Sequence, residues 1–154
     1  MSQQRRVLSS GIECLWLDTP ADSPRPEHWA VLERSTALIP VAHRSVVRRI
    51  ELRGQHQSPA HGGGSDQPTR TIRLSYAGLR AAYNRQYNVT LLHEFGHHID
   101  WHYRVVPYVR RQGANGRALL HTGHRGDKHG PGERIADCYA IYLLQVIRGR
   151  LLSN

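Results

Sequence analysis

The sequence predicts a single α+β domain in which a small twisted sheet packs against two helices. Two segments, Ser45–Arg53 and Arg70–Tyr76, alternate apolar and polar residues, which is typical of half-buried strands. Two others, Leu91–Trp101 and Gly132–Leu144, repeat apolar residues at helical spacing. A chain of 154 residues has the usual length of one domain, so residues 1–154 are assigned to one domain.

The N-terminal extension covers residues 1–25, and one short strand is predicted within it, over Val7–Leu17. Three prolines then mark the connection to the first helix. Pro26 is predicted to open that helix, because a proline at the first helical position loses no N–H that the helix needs. The helix is expected to run to about Leu38, since Pro40 cannot continue it.

The two alternating segments are predicted to be strands joined by a long loop over Gly54–Pro68. This loop contains HGGGSDQP, but no GK[ST] follows, so it is interpreted as a connection and not as a phosphate cradle. A short helix is expected over Ala77–Tyr83, and Asn88 can cap the next long helix, which should run to about Tyr103. The apolar strand residues are expected to face the core: Val46, Ile50, Leu52, Ile72, Leu74 and Tyr76.

The long helix carries the pattern H-E-x-x-H at His93, Glu94 and His97. Residues four apart lie on one face of a helix, so both imidazoles can reach a single metal ion. Glu94 projects about 100° round the helix from His93. Metal binding lowers the pKa of a bound water to roughly 7, and Glu94 can accept its proton. The pattern therefore indicates most of a hydrolytic metal site.

A catalytic zinc site uses three protein ligands and leaves a fourth position open, so a third ligand is expected elsewhere. Glu133 is the favoured candidate, because it begins the second helix on the face that carries Ala136 and Asp137. Asp137 can accept the free ring N–H of a ligating histidine. Asp100 shares the face of the imidazoles but lies about 10 Å from His93 along the helix axis, which is out of reach of the same ion, and His102 points about 140° away from that face.

Small residues predict that these two helices approach each other closely. Ala136 and Ala140 keep one face of the second helix thin, and Gly96 lies in the middle of the motif helix. A glycine within a helix costs roughly 1 kcal/mol relative to alanine, and close packing accounts for that cost. Cys138, in the second helix, is interpreted as a small core residue.

Both motif segments resemble known metallopeptidase sequences. HEFGHHID resembles the motif helix of catalytic domains related to anthrax lethal factor. ERIADCYAIYLL resembles the downstream helix of small intracellular peptidases that cleave phage-type repressors and stress regulators. Together they look like zincins with a glutamate as third ligand. The resemblance implies a zincin-like fold, Zn²⁺ on His93, His97 and Glu133, Glu94 as general base, and Asp137 as a partner outside the ligands.

One position departs from that family pattern. Domains related to lethal factor place a tyrosine seven residues before the glutamate ligand, where it steadies the oxyanion; this chain has Gly126 there. The oxyanion donor is therefore unassigned. The span Pro107–Pro131 is expected to be a loop, or a short helix with a long loop. Several of its side chains can donate a hydrogen bond and are candidates: His121, His124, Arg125 and His129.

The activity that the resemblance implies is zinc-dependent hydrolysis of a polypeptide. In zincins an edge strand above the cleft pairs with extended substrate, and Arg70–Tyr76 is expected to be that strand. A toxin-like effector and a resident regulatory protease both fit. Two alternatives stay open: a non-catalytic protein stapled by its metal, and a basic module that binds nucleic acid. The ligand types also leave iron and manganese open.

The formal charge is +9, and Lys128 is the only lysine among 21 basic residues. Such a balance suits an anionic partner, but the arginines are scattered, so nucleic-acid binding is not expected. No apolar run approaches the ~20 residues of a membrane span, and the N-terminus is a poor secretory signal. A cytoplasmic location, or export without a cleavable signal, is therefore expected. Two cysteines provide no disulfide framework.

Overall fold

A five-stranded sheet and its helices give the protein a mixed α+β structure. The computed structural model describes residues 4–17, 24–53, 63–75, 82–83, 86–105, 111–112, 118–119 and 131–152. The strands of the main sheet are β1 (Gln4–Val7), β2 (Glu13–Trp16), β3 (Arg49–Arg53), β4 (Gly63–Asp66) and β5 (Thr71–Ser75). The helices are α1 (Pro26–Ala37), α2 (Val41–Arg44), α3 (Val89–Tyr103) and α4 (Pro131–Leu152). Two small antiparallel pairs are β6 (Ala82–Tyr83) with β7 (Tyr87–Asn88), and β8 (Arg111–Gln112) with β9 (Ala118–Leu119).

The main sheet has the strand order β1-β2-β3-β5-β4. Its central strands β2, β3 and β5 are parallel, while β1 and β4 are antiparallel to their neighbours. Parallel neighbours need a crossover connection, and α1 and α2 lie in the connection from β2 to β3. A tight turn joins β4 to β5, and Arg70 within it takes a left-handed φ of 54°.

The core lies between the sheet and the helices, and the predicted inward side of the strands is confirmed within β3 and β5. The predicted strand Ser45–Arg53 is too long, because β3 begins only at Arg49, and Val47 and Thr71, predicted to face outward, are buried. Arg70 lies in a turn, and Tyr76 lies outside the described residues. Ile50 and Leu52 of β3 are fully buried, as are their register partners in β5, Ile72 and Leu74. Each such side chain contributes roughly 1.5–3 kcal/mol when removed from water. Helical residues complete the same cluster: Leu32, Leu91, Leu92, Phe95, Ile99, Ala140 and Leu143. None of the described helices has the length and apolar character needed to cross a membrane.

The predicted cap of the motif helix is confirmed. Asn88 Oδ1 accepts a hydrogen bond from the Leu91 N–H at 2.9 Å, which satisfies a donor that the first helical turn leaves unpaired. The Asn88 N–H donates in turn to Ser35 Oγ at 2.8 Å, so the start of α3 is tied to α1. The predicted extents of both helices agree with the structure, in which α1 is Pro26–Ala37 and α3 ends at Tyr103.

The prediction of one strand over Val7–Leu17 is wrong, because this segment turns back on itself. β1 and β2 are antiparallel. Hydrogen bonds from the Leu8 N–H to the Ile12 carbonyl and from the Gly11 N–H to the Leu8 carbonyl close the turn. Gly11 takes a φ of 86°, which only glycine adopts without strain. Leu8 and Ile12 are both buried, so the turn keeps the apolar pattern of a strand.

The prediction of an unbroken loop over Gly54–Pro68 is also wrong, because residues 63–66 form β4. This strand pairs with β5 and packs against α3. Its structure therefore depends on backbone pairing and not on an apolar alternation. The helix predicted over Ala77–Tyr83 is contradicted at Ala82–Tyr83, which is strand β6, while residues 76–81 lie outside the described part of the chain.

The edge strands of the main sheet are β1 and β4, and the segment Arg70–Tyr76, which the sequence pattern favours as an edge strand, contains the internal strand β5. β5 pairs with β3 on one side and with β4 on the other, so it is internal. Among the strands that the structure describes, β4 pairs on one side only. The edge strand that packs against the motif helix is thus β4, whose sequence is Gly-Gly-Ser-Asp.

Replacing Gly63 with alanine is expected to destabilise the protein, whereas Gly64→Ala is not. A Cβ on Gly63 would lie 2.9 Å from Thr90 Cγ2 and 3.2 Å from the Arg73 carbonyl oxygen, but one on Gly64 would meet nothing within 4 Å. Overpacking costs about 1–3 kcal/mol, so Gly63→Ala should lower Tm by several degrees. Thermal unfolding followed by circular dichroism checks this, and equal Tm values for the two variants would contradict the seating of β4 on α3.

Candidate metal centre

The motif helix α3 and the helix α4 are in direct backbone contact at Gly96. A Cβ on Gly96 would lie 2.6 Å from Ala136 Cα and 2.9 Å from its carbonyl oxygen. Ala136 is fully buried, and Ala140, one turn later, is also buried. The predicted close approach of these helices is therefore confirmed, and a larger residue at position 96 is incompatible with it.

This contact brings together three side chains from the two helices. His93 Nε2 lies 3.0 Å from one carboxylate oxygen of Glu133, and His97 Nε2 lies 3.1 Å from the other. The two Nε2 atoms are themselves 3.1 Å apart. The imidazole rings meet edge to face at 85°, so their nitrogens converge on the carboxylate without stacking of the rings.

The donor atoms of His93, His97 and Glu133 fit a metal ion. They lie within 4.8 Å of one another, and no other such group occurs among the described residues. Tetrahedral coordination with bonds of about 2.0–2.1 Å puts neighbouring donors about 3.3 Å apart, so the observed separations need to widen by only a few tenths of an ångström. All three side chains are partly exposed, which allows an ion to enter from solvent.

Asp137 lies behind His93, as the sequence predicts. Its Oδ1 is 2.7 Å from His93 Nδ1, on the side of the ring away from Glu133. A proton on Nδ1 that is donated to this carboxylate leaves Nε2 with a free lone pair facing the other two donors. Asp137 thus fixes both the orientation and the tautomer that metal binding by His93 requires.

Glu94, which follows His93 in α3, is buried, with 9% of its surface exposed. Its carboxylate oxygen Oε2 accepts a hydrogen bond from Ser65 Oγ on β4. The same hydroxyl lies 3.2 Å from the Glu94 main-chain carbonyl oxygen. Ser65 could not be predicted from the sequence, because nothing in the local pattern shows that β4 lies along α3.

His98 is a second residue that the sequence analysis did not identify, and its role is structural. It is almost fully buried, and its Nε2 lies 3.1 Å from the Thr71 carbonyl oxygen. Burial lowers the pKa of His98 to about 4, since desolvation of the imidazolium outweighs the opposing hydrogen bond to Thr71. The neutral ring therefore donates its Nε2–H to Thr71 and ties α3 to β5.

The remaining candidates do not join the donor group. Neither Asp100 nor His102 belongs to the donor group. Asp100 is buried, and His102 is exposed and packs edge to face against Tyr103. The candidate oxyanion donors lie outside the described residues: His121, His124, Arg125 and His129. Gly126 also lies outside them.

The prediction that Cys138 is a core residue is wrong, because its side chain is exposed on α4, whereas Cys14 is buried. Burial, with a smaller contribution from the negative charge of Glu33, raises the pKa of the Cys14 thiol to about 12. We expect a thiol reagent at pH 8 to modify one cysteine rapidly in the native protein and both after unfolding. Cys138→Ser should abolish the rapid reaction, and rapid labelling of Cys14 in that variant would contradict its burial.

Comparison with known proteins does not assign a family to this chain. No protein-family model matches it, and neither does any curated protein or solved structure. What points to a function is therefore the group formed by His93, His97 and Glu133, which α3 and α4 bring together.

Proposed function

We propose that this protein is a zinc-dependent metallopeptidase with a zincin-like arrangement of its active site. The observation that carries the proposal is the convergence of His93, His97 and Glu133. Glu94 follows His93 on the same helix, and its carboxylate is hydrogen-bonded to Ser65. Two imidazoles and one carboxylate are a common ligand set of catalytic zinc. The likeness of the two motif segments to zincins supports the same proposal.

The chemistry divides between the ion and the chain. A bound zinc ion would supply Lewis-acid polarisation of the attacking water and of the scissile carbonyl. Glu94 would accept the proton of the attacking water and return it to the leaving amine, which is the task of a general base and acid. Asp137 would keep the His93 ring in its ligating orientation through the hydrogen bond at Nδ1.

An extended polypeptide is the substrate class that the surroundings of the site favour. Within the described residues β4 is an edge strand, and it lies directly beside the helix that carries Glu94. A peptide can add to such an edge by main-chain hydrogen bonds, largely irrespective of its sequence. Gly63 and Gly64 add no side chains to this strand, so the backbone is the main feature that a substrate would meet.

The charges on the outer face of the sheet give less support to nucleic-acid binding. Arg5 and Arg49 contact the carboxylate of Glu13, and Arg73 contacts both Glu51 and Asp66. Ion pairs of this kind offset the positive charge that a phosphate backbone would need. A basic surface made of such pairs is better explained as a solvated face.

The test of the proposal is metal-dependent cleavage of unstructured polypeptide. The purified chain, stripped of metal and reloaded with one equivalent of Zn²⁺, is incubated with a peptide mixture that has randomised positions. New peptide N-termini identified by mass spectrometry are expected with zinc and not with chelator. The matched variant Glu133→Gln should bind zinc more weakly and cleave less at the same zinc concentration. Cleavage that is indifferent to chelator and to this substitution would rule out the proposed centre.

A further inference from the structure

We infer that Ser65, on the edge strand β4, is a positioning residue that holds the Glu94 carboxylate in its working orientation. The contacts of Ser65 with Glu94 are independent of any activity, whereas the effect on hydrolysis rests on the proposed function. Ser65 lies on the strand that is proposed to receive substrate, and its hydroxyl contacts the residue that is proposed to be the general base.

The hydroxyl of Ser65 contacts two oxygen atoms of Glu94. Ser65 Oγ lies within hydrogen-bonding distance of both the Glu94 carboxylate and the Glu94 main-chain carbonyl oxygen. A hydroxyl has one proton to donate, and a charged oxygen is the stronger acceptor. The bond to Oε2 therefore dominates and engages one of the two carboxylate oxygens, so the other oxygen would accept the proton of the attacking water in the proposed reaction.

The buried carboxylate of Glu94 needs a hydrogen-bond donor. Only 9% of the surface of Glu94 is exposed to solvent. Burying a carboxylate without hydrogen bonds is strongly unfavourable, and a glutamate side chain has several rotamers to choose from. A hydrogen bond from a rigid strand selects one rotamer, and a reacting group displaced by about 1 Å can lose about 100-fold in rate.

The position of Ser65 is fixed by the pairing of β4 with β5 and by the packing of β4 against α3. Alternation along β4 directs Ser65 towards α3, and its register partner in β5 is the buried Ile72. Two residues earlier, Gly63 approaches Thr90 of α3 so closely that a Cβ has no room. β4 is thus seated on α3 at two points, and a peptide that pairs with β4 would bind to the same strand that orients Glu94.

The experiment compares Ser65→Ala with Ser65→Thr, which keeps the hydroxyl, in the zinc-loaded protein. Ser65→Ala is expected to lower kcat by about 10- to 100-fold with little change in KM or in zinc content. Ser65→Thr should stay within a few-fold of the unmodified protein. The control is Ser10→Ala, which removes a hydroxyl from the turn between β1 and β2 and should leave kcat unchanged. A folded Ser65→Ala protein with unchanged kcat, or a folded Ser65→Thr protein as impaired as Ser65→Ala, overturns the inference.

A second readout uses the metal-free protein and needs no activity. Ser65→Ala is expected to lower Tm by several degrees in the unmodified chain and much less in a Glu94→Ala background, because the bond is then already lost. Equal decreases in both backgrounds overturn the inference. If the unmodified chain cleaves no peptide, the proposed function fails, and this thermal cycle alone decides whether Ser65 holds Glu94.

Discussion

Replacing Glu94 with glutamine is expected to reduce peptide hydrolysis by about 10²–10⁴-fold while metal binding is retained. Glutamine has nearly the same size and can still accept the hydrogen bond from Ser65, so the fold should persist. Its amide, however, cannot take a proton from water. Glu94 provides no donor atom to the group formed by His93, His97 and Glu133, so zinc should bind to the variant as it does to the unmodified chain.

The measurement is kcat/KM on a cleaved peptide, together with zinc content and Tm of each protein. Glu27→Gln is the matched control, because it makes the same chemical change at an exposed carboxylate in the first turn of α1. Glu133→Gln provides the contrasting case, in which activity and zinc affinity should fall together. A Glu94→Gln protein that is fully active with full zinc would show that the centre is not the proposed hydrolytic site.

Replacing Gly96 with alanine is expected to weaken both the fold and the metal centre. In an isolated helix alanine is more stable than glycine by about 1 kcal/mol. Here the added methyl would lie 2.6 Å from Ala136 Cα, so α3 and α4 must separate. Because α4 carries Glu133, the separation also draws its carboxylate away from the two imidazoles. We expect a Tm lower by at least several degrees and a zinc affinity reduced by about 10-fold or more.

The double variant Gly96→Ala/Ala136→Gly separates this explanation from ordinary side-chain crowding. The clash involves the Cα and the carbonyl oxygen of Ala136, which every residue has, so removal of its methyl should not restore Tm or zinc affinity. Gly64→Ala is the control for adding a methyl where there is space. A Gly96→Ala protein with a raised Tm would mean that the two helices are not in backbone contact.

The sequence was sufficient for the parts of the molecule that depend on local rules. The cap at Asn88, the proline at the start of α1 and the alternation in β3 and β5 each follow from the preferences of single residues and their immediate neighbours. The pairing of Glu133 with the two histidines needed one further step. Helical spacing puts His93 and His97 on one face, and the small residues of α4 indicate which face can approach it.

Features that depend on tertiary contacts could not be predicted in this way. Strand β4 has no apolar alternation, because its structure comes from pairing with β5. No pattern in the sequence therefore indicated that Ser65 lies in a strand. His98 is one of eleven histidines, and only its burial against Thr71 distinguishes it from a ligand. Cys138 follows Asp137 on α4, but helical spacing alone does not show which side of a helix contacts solvent.

The two imidazoles and the carboxylate come from helices far apart in the chain, and this separation has a consequence for the lifetime of the protein. A cation that joins them also closes the intervening chain into a loop, so part of its binding free energy becomes folding free energy. At a free concentration 100 times its Kd, such an ion stabilises the native state by about 2.7 kcal/mol. Proteases degrade loosened chains first, so the lifetime of this protein would then depend on whether the ion is bound.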